Sequence, residues 1–160
     1  MGETFPTRGQ LERTLSQQIQ SLYSDQLGHR PTKVMCQLFD STLAIVMEDS
    51  ITQTEQLLLG QGQEELAEQV RSGLDDAIEP KLRQLVEEIL NVSVLDFLSD
   101  ATLGTGRTGI IAVLSDTPNV RNPEAIPKVK AKSSNNKNSN LSSEKHYGKT
   151  SGKTSGKTPE

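Results

Sequence analysis

Residues 33–48, KVMCQLFDSTLAIVME, decide the fold. Val34, Cys36 and Leu38 alternate with Met35, Gln37 and Phe39, which is the two-residue period of a strand. Asp40-Ser41 offers a turn, and Leu43 to Met47 forms a return strand, so the stretch reads as a β-hairpin. The turn lacks an Asn-Gly pair, which leaves the register open by about one residue. Both faces of the hairpin are fairly apolar, the return strand especially. Such a sheet is expected to be covered on more than one side, by helices or by a second subunit.

Upstream, Leu11, Leu15, Ile19 and Leu22 recur at helical spacing within residues 8–27, and Gly28 with Pro31 ends that helix. Downstream, Thr52 or Ser50 can cap a short helix through Leu59, with Glu55 placed to complete a capping box on Thr52. Gly60 and Gly62 interrupt it. A longer helical pattern follows on Leu66, Val70, Leu74, Ile78, Leu82, Leu85 and Ile89. Pro80 falls inside this run, and the loss of its amide predicts a break between Asp76 and Pro80, hence two helices over 62–77 and 79–90. A second hairpin is expected from residues 92–99 and 107–115, joined by 100–106. The fold class is therefore α+β, a small single domain of order α-β-β-α-α-α-β-β with antiparallel hairpins packed on helices.

Charge divides the 160 residues into two unlike parts. Residues 1–116 carry 8 Lys and Arg against 18 Asp and Glu, a net of −10, whereas residues 117–160 carry 9 against 3, a net of +6. The second part is rich in Ser, Asn, Lys and Gly, and its 7 hydrophobic residues among 44 cannot offset the entropy of ordering. The expected organisation is a folded domain over 1–116 and a disordered basic tail over 117–160.

Several function classes lack support in the residues. The longest apolar run, Leu43 to Met47, is far shorter than the roughly 20 residues of a membrane span, and no secretory signal is visible. The lone Cys36 reads as a small core hydrophobe, consistent with a reducing, cytoplasmic setting. His29 and His146 lie too far apart for a zinc pattern. The Gly-Lys-Thr repeats at Gly148, Gly152 and Gly156 imitate the end of a phosphate loop, but their spacing of four and their context do not fit one. No nucleophile has a plausible base nearby, and there is no cofactor fingerprint, so no enzyme, metal or cofactor is expected.

Two segments remain as contact candidates. Three glycines surround Arg107 in the run Gly104-Thr-Gly106-Arg107-Thr-Gly109, which can present amides and a guanidinium to an anion or a carboxylate. His29 and Arg30 form the corner between the first helix and the first strand. Glu64, Glu65, Glu68, Asp75, Asp76, Glu87 and Glu88 read as a solvated face, with Arg71, Lys81 and Arg83 as surface ion-pair partners.

The body also resembles a bacterial family known as MpsC-like. The likeness rests on Leu27-Gly-His-Arg-Pro31, on Leu43 to Met47 followed by Ile51 to Leu58, on Arg71 with Pro80 to Leu90, and on Thr105 to Gly109 leading into Ile110 to Leu114. It spans about residues 8–116, with Gln53 where a Pro is usual and Asn91 where a Gly is common. The resemblance implies a link to a sodium-translocating, membrane-potential-generating system. Together these readings give a non-enzymatic accessory or regulatory protein of an ion- or bicarbonate-translocating membrane assembly. It would be a homodimer, cytoplasmic and peripheral to the membrane through transporter subunits, with no transmembrane segment. The alternative is a nucleic-acid-associated stress or regulatory factor acting through the basic tail, although no specific nucleic acid is expected of the acidic body.

Overall fold

The computed structural model describes residues 4–129. Helix α1 (Arg8–Leu27) starts at Thr7, whose side chain accepts from the Gln10 amide while the Gln10 side chain accepts from the Thr7 amide. It stops at Gly28, which takes a left-handed φ of 65°. Strands β1 (Lys33–Phe39) and β2 (Thr42–Glu48) form the expected hairpin, with Phe39 opposite Thr42 across Asp40-Ser41. Helix α2 (Gln53–Gly60) begins with the capping box of Thr52 and Glu55. Helix α3 (Glu64–Leu90) leads into β3 (Val94–Thr102) and β4 (Arg107–Leu114). The four strands make one antiparallel sheet in the order β1-β2-β4-β3. The fold is thus α+β in the expected order of elements.

The break predicted at Pro80 is absent: α3 is one helix of 27 residues with Pro80 inside it. Pro80 is exposed, so the Asp76 carbonyl that it leaves without an amide can be met by water. The buried positions Ala67, Arg71, Ile78, Leu82, Val86 and Leu90 stay in one helical register through the proline. Burying that continuous stripe outweighs a single lost hydrogen bond. Asn91 then ends the helix with φ 52°, the left-handed conformation for which a glycine would otherwise be used.

Helices α1 and α3 cover one face of the sheet. Leu15 and Ile19 of α1 meet Leu38, Leu43, Ile45 and Ile110 of the strands in a single core. Residues 117–129, assigned by composition to the disordered tail, pack onto the body. Val120 and Ile126 are buried in the core, Arg121 N donates to Pro6 O at 2.9 Å, and Arg8 Nη1 donates to Ala125 O at 2.7 Å. Two apolar anchors and these polar ties suffice where composition alone indicated none. The rest of the basic tail, including the Gly-Lys-Thr repeats, lies outside the described residues.

Among the described residues, no element covers the opposite face of the sheet. It presents Met35, Phe39, Val46, Leu98 and Ile111, each between 37% and 56% exposed. Each edge strand has at least one amide engaged by a carboxylate. On β3, the amides of Phe97 and Ala101 donate to the carboxylates of Asp96 and Asp100 at 2.9 Å, and on β1 the Leu38 amide donates to Glu12 Oε2 at 2.8 Å. Outward amides satisfied in this way cannot template a further strand.

Candidate functional site

The sequence-predicted contact residues converge in part on the segment Glu48-Asp49-Ser50, where β2 gives way to α2. His29 Nε2 lies 2.7 Å from the Asp49 carbonyl oxygen and, because a carbonyl only accepts, must carry the proton there. Gly106, at φ 73°, turns its carbonyl to accept from Ser50 N at 2.9 Å and from Ser50 Oγ at 3.0 Å. Thr108 Oγ1 then donates to Ser50 Oγ at 2.7 Å. Arg107 Nε is 3.7 Å from Glu48 Oε1, both side chains being well exposed.

The other three candidates lie elsewhere. Arg30 turns back to donate Nη2 to Gln20 Oε1 at 3.1 Å. Gly104 lines the rim of a groove, and Gly109 sits within β4 beside Val46 on the open face.

Ser50 links this surface to a buried cluster that the sequence reading did not find. Arg71 is 5% exposed rather than on the surface, and Glu55 is fully buried. Arg71 Nε donates to Glu55 Oε1 and Nη2 to Oε2, each at 2.6 Å, while Nη2 also donates to the Ser50 carbonyl at 3.1 Å. Glu55 Oε2 accepts in addition from the Thr52 amide at 2.8 Å and the Thr52 hydroxyl at 2.7 Å. Asp75 Oδ1 takes Arg71 Nη1 at 3.2 Å.

These contacts decide the charge states. Burial pushes the Glu55 carboxyl up, but the bonds from Arg71 and Thr52 outweigh it and hold the group below the usual carboxylate range. Burial raises Asp75 despite its contact with Arg71, and burial followed by the Asp75 charge raises Tyr23. Glu55 was legible as a cap. Its second role was hidden because its partner lies 16 residues away on another helix.

Arg71 and Asp75 form part of the wall of an open groove of about 630 Å³ between α3 and β3. Glu64, Glu68 and Asp76 line one side, with Ser99, Asp100 and Ala101 on the other. Arg71 is the single basic residue of that lining and is already committed to two carboxylates, so the groove is strongly negative. Among the described residues, no group of three or more His, Cys, Asp or Glu side chains is placed to hold a metal. Among the same residues, no helix is long and apolar enough to cross a membrane.

Neither the curated proteins nor the solved structures include a match to the chain. One family model does match, that of the Na+-translocating membrane potential-generating system (MpsC), over residues 7–116. The matched span runs from the cap of α1 through the end of β4 and contains the Glu48–Ser50 segment and the Arg71 cluster. The chain therefore belongs to the MpsC family.

Proposed function

We propose that the protein is a non-enzymatic accessory or regulatory subunit of an ion- or bicarbonate-translocating membrane system, working as a cytoplasmic homodimer peripheral to the membrane. The observation that carries this reading is the family match over residues 7–116, whose description names a sodium-translocating system. The local chemistry agrees with an accessory role. Glu55 has both oxygens engaged and is held ionised by Arg71, the character of an internal brace between α2 and α3 rather than of a general base. His29, Gly106 and Arg107 around Glu48–Ser50, with Arg30, Gly104 and Gly109, are the proposed partner contacts. In this organisation residues 1–116 carry the specific contacts, and the net +6 of residues 117–160 favours anionic surfaces such as lipid headgroups.

Crosslinked capture of the full chain from membranes and from cytosol, in parallel, tests the proposal. Recovery of ion-translocating membrane subunits, reduced by Arg107→Glu, is the expected result. Recovery of ribosomal or nucleoid proteins alone would overturn it in favour of a nucleic-acid-associated factor.

A further inference from the structure

We infer that α2 is a lid: residues 53–63 open as a unit while the sheet and α3 stay folded, and the buried pair of Glu55 and Arg71 is the latch. The starting point is how little α2 buries. Glu55 is its single buried residue, Leu57 is 64% exposed, and Leu58 and Leu59 are half-buried. No side chain of α2 belongs to the hydrophobic core or packs against it. Among the described residues, the two bonds from Arg71 to Glu55 are the only hydrogen bonds between α2 and another element. A helix of eight residues does not hold itself together in water. An ion pair therefore keeps α2 closed, whereas apolar burial keeps α1 and α3 in place.

The chemistry of the pair suits a latch. Closing α2 strips water from a carboxylate and a guanidinium, and that desolvation offsets much of their attraction. Opening returns both groups to water. Arg71 is not stranded when Glu55 leaves, because Nη2 keeps the Ser50 carbonyl and Nη1 keeps Asp75. Breaking an apolar contact brings no such return, since the surface it exposes is unfavourable in water.

The flanks of α2 permit the motion. On one side, Ser50 is held by the Gly106 carbonyl and Thr108, and Ile51 is buried, so the chain is anchored up to the cap. On the other side, residues 60–66 are all exposed, and Gly62 turns the chain towards α3 at φ 73°. Ala67 is the first buried residue of α3. The segment between Ile51 and Ala67 thus moves without disturbing either anchor. Leu59 of α2 and Arg71 stand in the wall of the same acidic groove. Lifting α2 widens that groove and leaves its lone guanidinium with one carboxylate partner fewer, so the groove has two electrostatic states. The bond from Arg71 to the Ser50 carbonyl ties the lid to the segment on which His29, Gly106 and Arg107 converge.

Hydrogen exchange of the full chain, read by mass spectrometry on peptides from α2 and from β4, is the test. In the wild type the amides of residues 56–63 should be protected, but at least about tenfold less than those of residues 110–114. Ile126 lies in the core that α2 does not reach, so Ile126→Ala should lower protection of β4 by at least about tenfold and leave that of α2 unchanged. A series in sub-denaturing urea gives an independent reading should Ile126→Ala fail to fold. There α2 should lose protection with a shallower slope than β4, because opening a lid exposes less surface than unfolding. Glu55→Gln takes the charge out of the latch and should lower protection of α2 by at least about tenfold. Equal protection of α2 and β4, falling together in Ile126→Ala or with one slope in urea, would show that α2 opens only with the whole fold. An unprotected α2 in the wild type, or unchanged protection of α2 in Glu55→Gln, would remove the pair as its latch.

Discussion

Arg71 grips Glu55 through two parallel bonds of 2.6 Å while donating to the Ser50 carbonyl, so that one buried guanidinium joins α3, the cap of α2 and the end of β2. Removing half of such a pair strands a buried charge. Arg71→Met should cost about 3–5 kcal/mol in urea unfolding. Adding Glu55→Gln, which keeps the capping-box geometry, should recover most of that loss. A single substitution costing under about 1 kcal/mol would show that the pair does not brace the fold.

The same pair sets the response to acid. The folded carboxyl of Glu55 is held below its ordinary value of 4.5, so its contribution is complete above that value and fades as pH falls through the folded pKa. Asp75, raised by burial, has the opposite sign: it costs stability as pH climbs past its ordinary value of 3.8. Glu55→Gln should therefore flatten the loss of stability below about pH 4.5, as read by urea midpoints at successive pH values. An acid limb as steep as that of the wild type would rule out Glu55 as its source.

The packing of residues 117–129 gives a third expectation. Ile126 is 2% exposed, and its truncation to Ala should cost about 2–4 kcal/mol. A chain ending at residue 116 should be less stable than one ending at residue 129 by at least that amount. Equal thermal midpoints for the two truncations would place the end of the fold at residue 116 after all.

Pro80 should be a stabilising site to replace. Pro80→Ala restores an amide facing the Asp76 carbonyl within α3, and a gain of about 1–3 kcal/mol is expected, part of the recovered bond being offset by the looser unfolded chain. Destabilisation would mean that α3 depends on a bend at the proline.

Cys36 should be slow to react. Burial pushes its thiol up to about 11 from an ordinary value of 9.0, which leaves about 100-fold less thiolate near neutral pH. Alkylation followed by mass spectrometry should be slower by at least that factor in the folded protein than in urea. Equal rates would place the thiol in solvent.

Much of the fold was legible because its periods are clean. Leu11, Leu15 and Ile19 sit on the buried stripe of α1, and the alternation of residues 34–38 fixed the first hairpin. Thr52 and Glu55 announced α2 by local chemistry alone. The phase of α3 was misread because Arg71 occupies a buried position, while the apolar Leu66 is 43% exposed and drew the stripe to one side. Residues 117–129 were hidden by sparseness, since Val120 and Ile126 are too few to make a pattern. Of the candidate site, His29, Gly106 and Arg107 do meet at Glu48–Ser50. The Arg71–Glu55 pair was invisible because its two halves, 16 residues apart on different helices, are brought together only by tertiary packing.

The tie between the start of α1 and the strap over residues 121–126 bears on synthesis. Arg8 N donates to Asn122 Oδ1 across 114 positions of sequence. On the ribosome, α1 emerges first and can pair with the β1–β2 hairpin early, yet its first turn stays unlocked until the strap has left the exit tunnel. Among the described residues, the clasp of the first helix is the last piece to be made, so α1 gains its final anchor only after the sheet it packs on is complete.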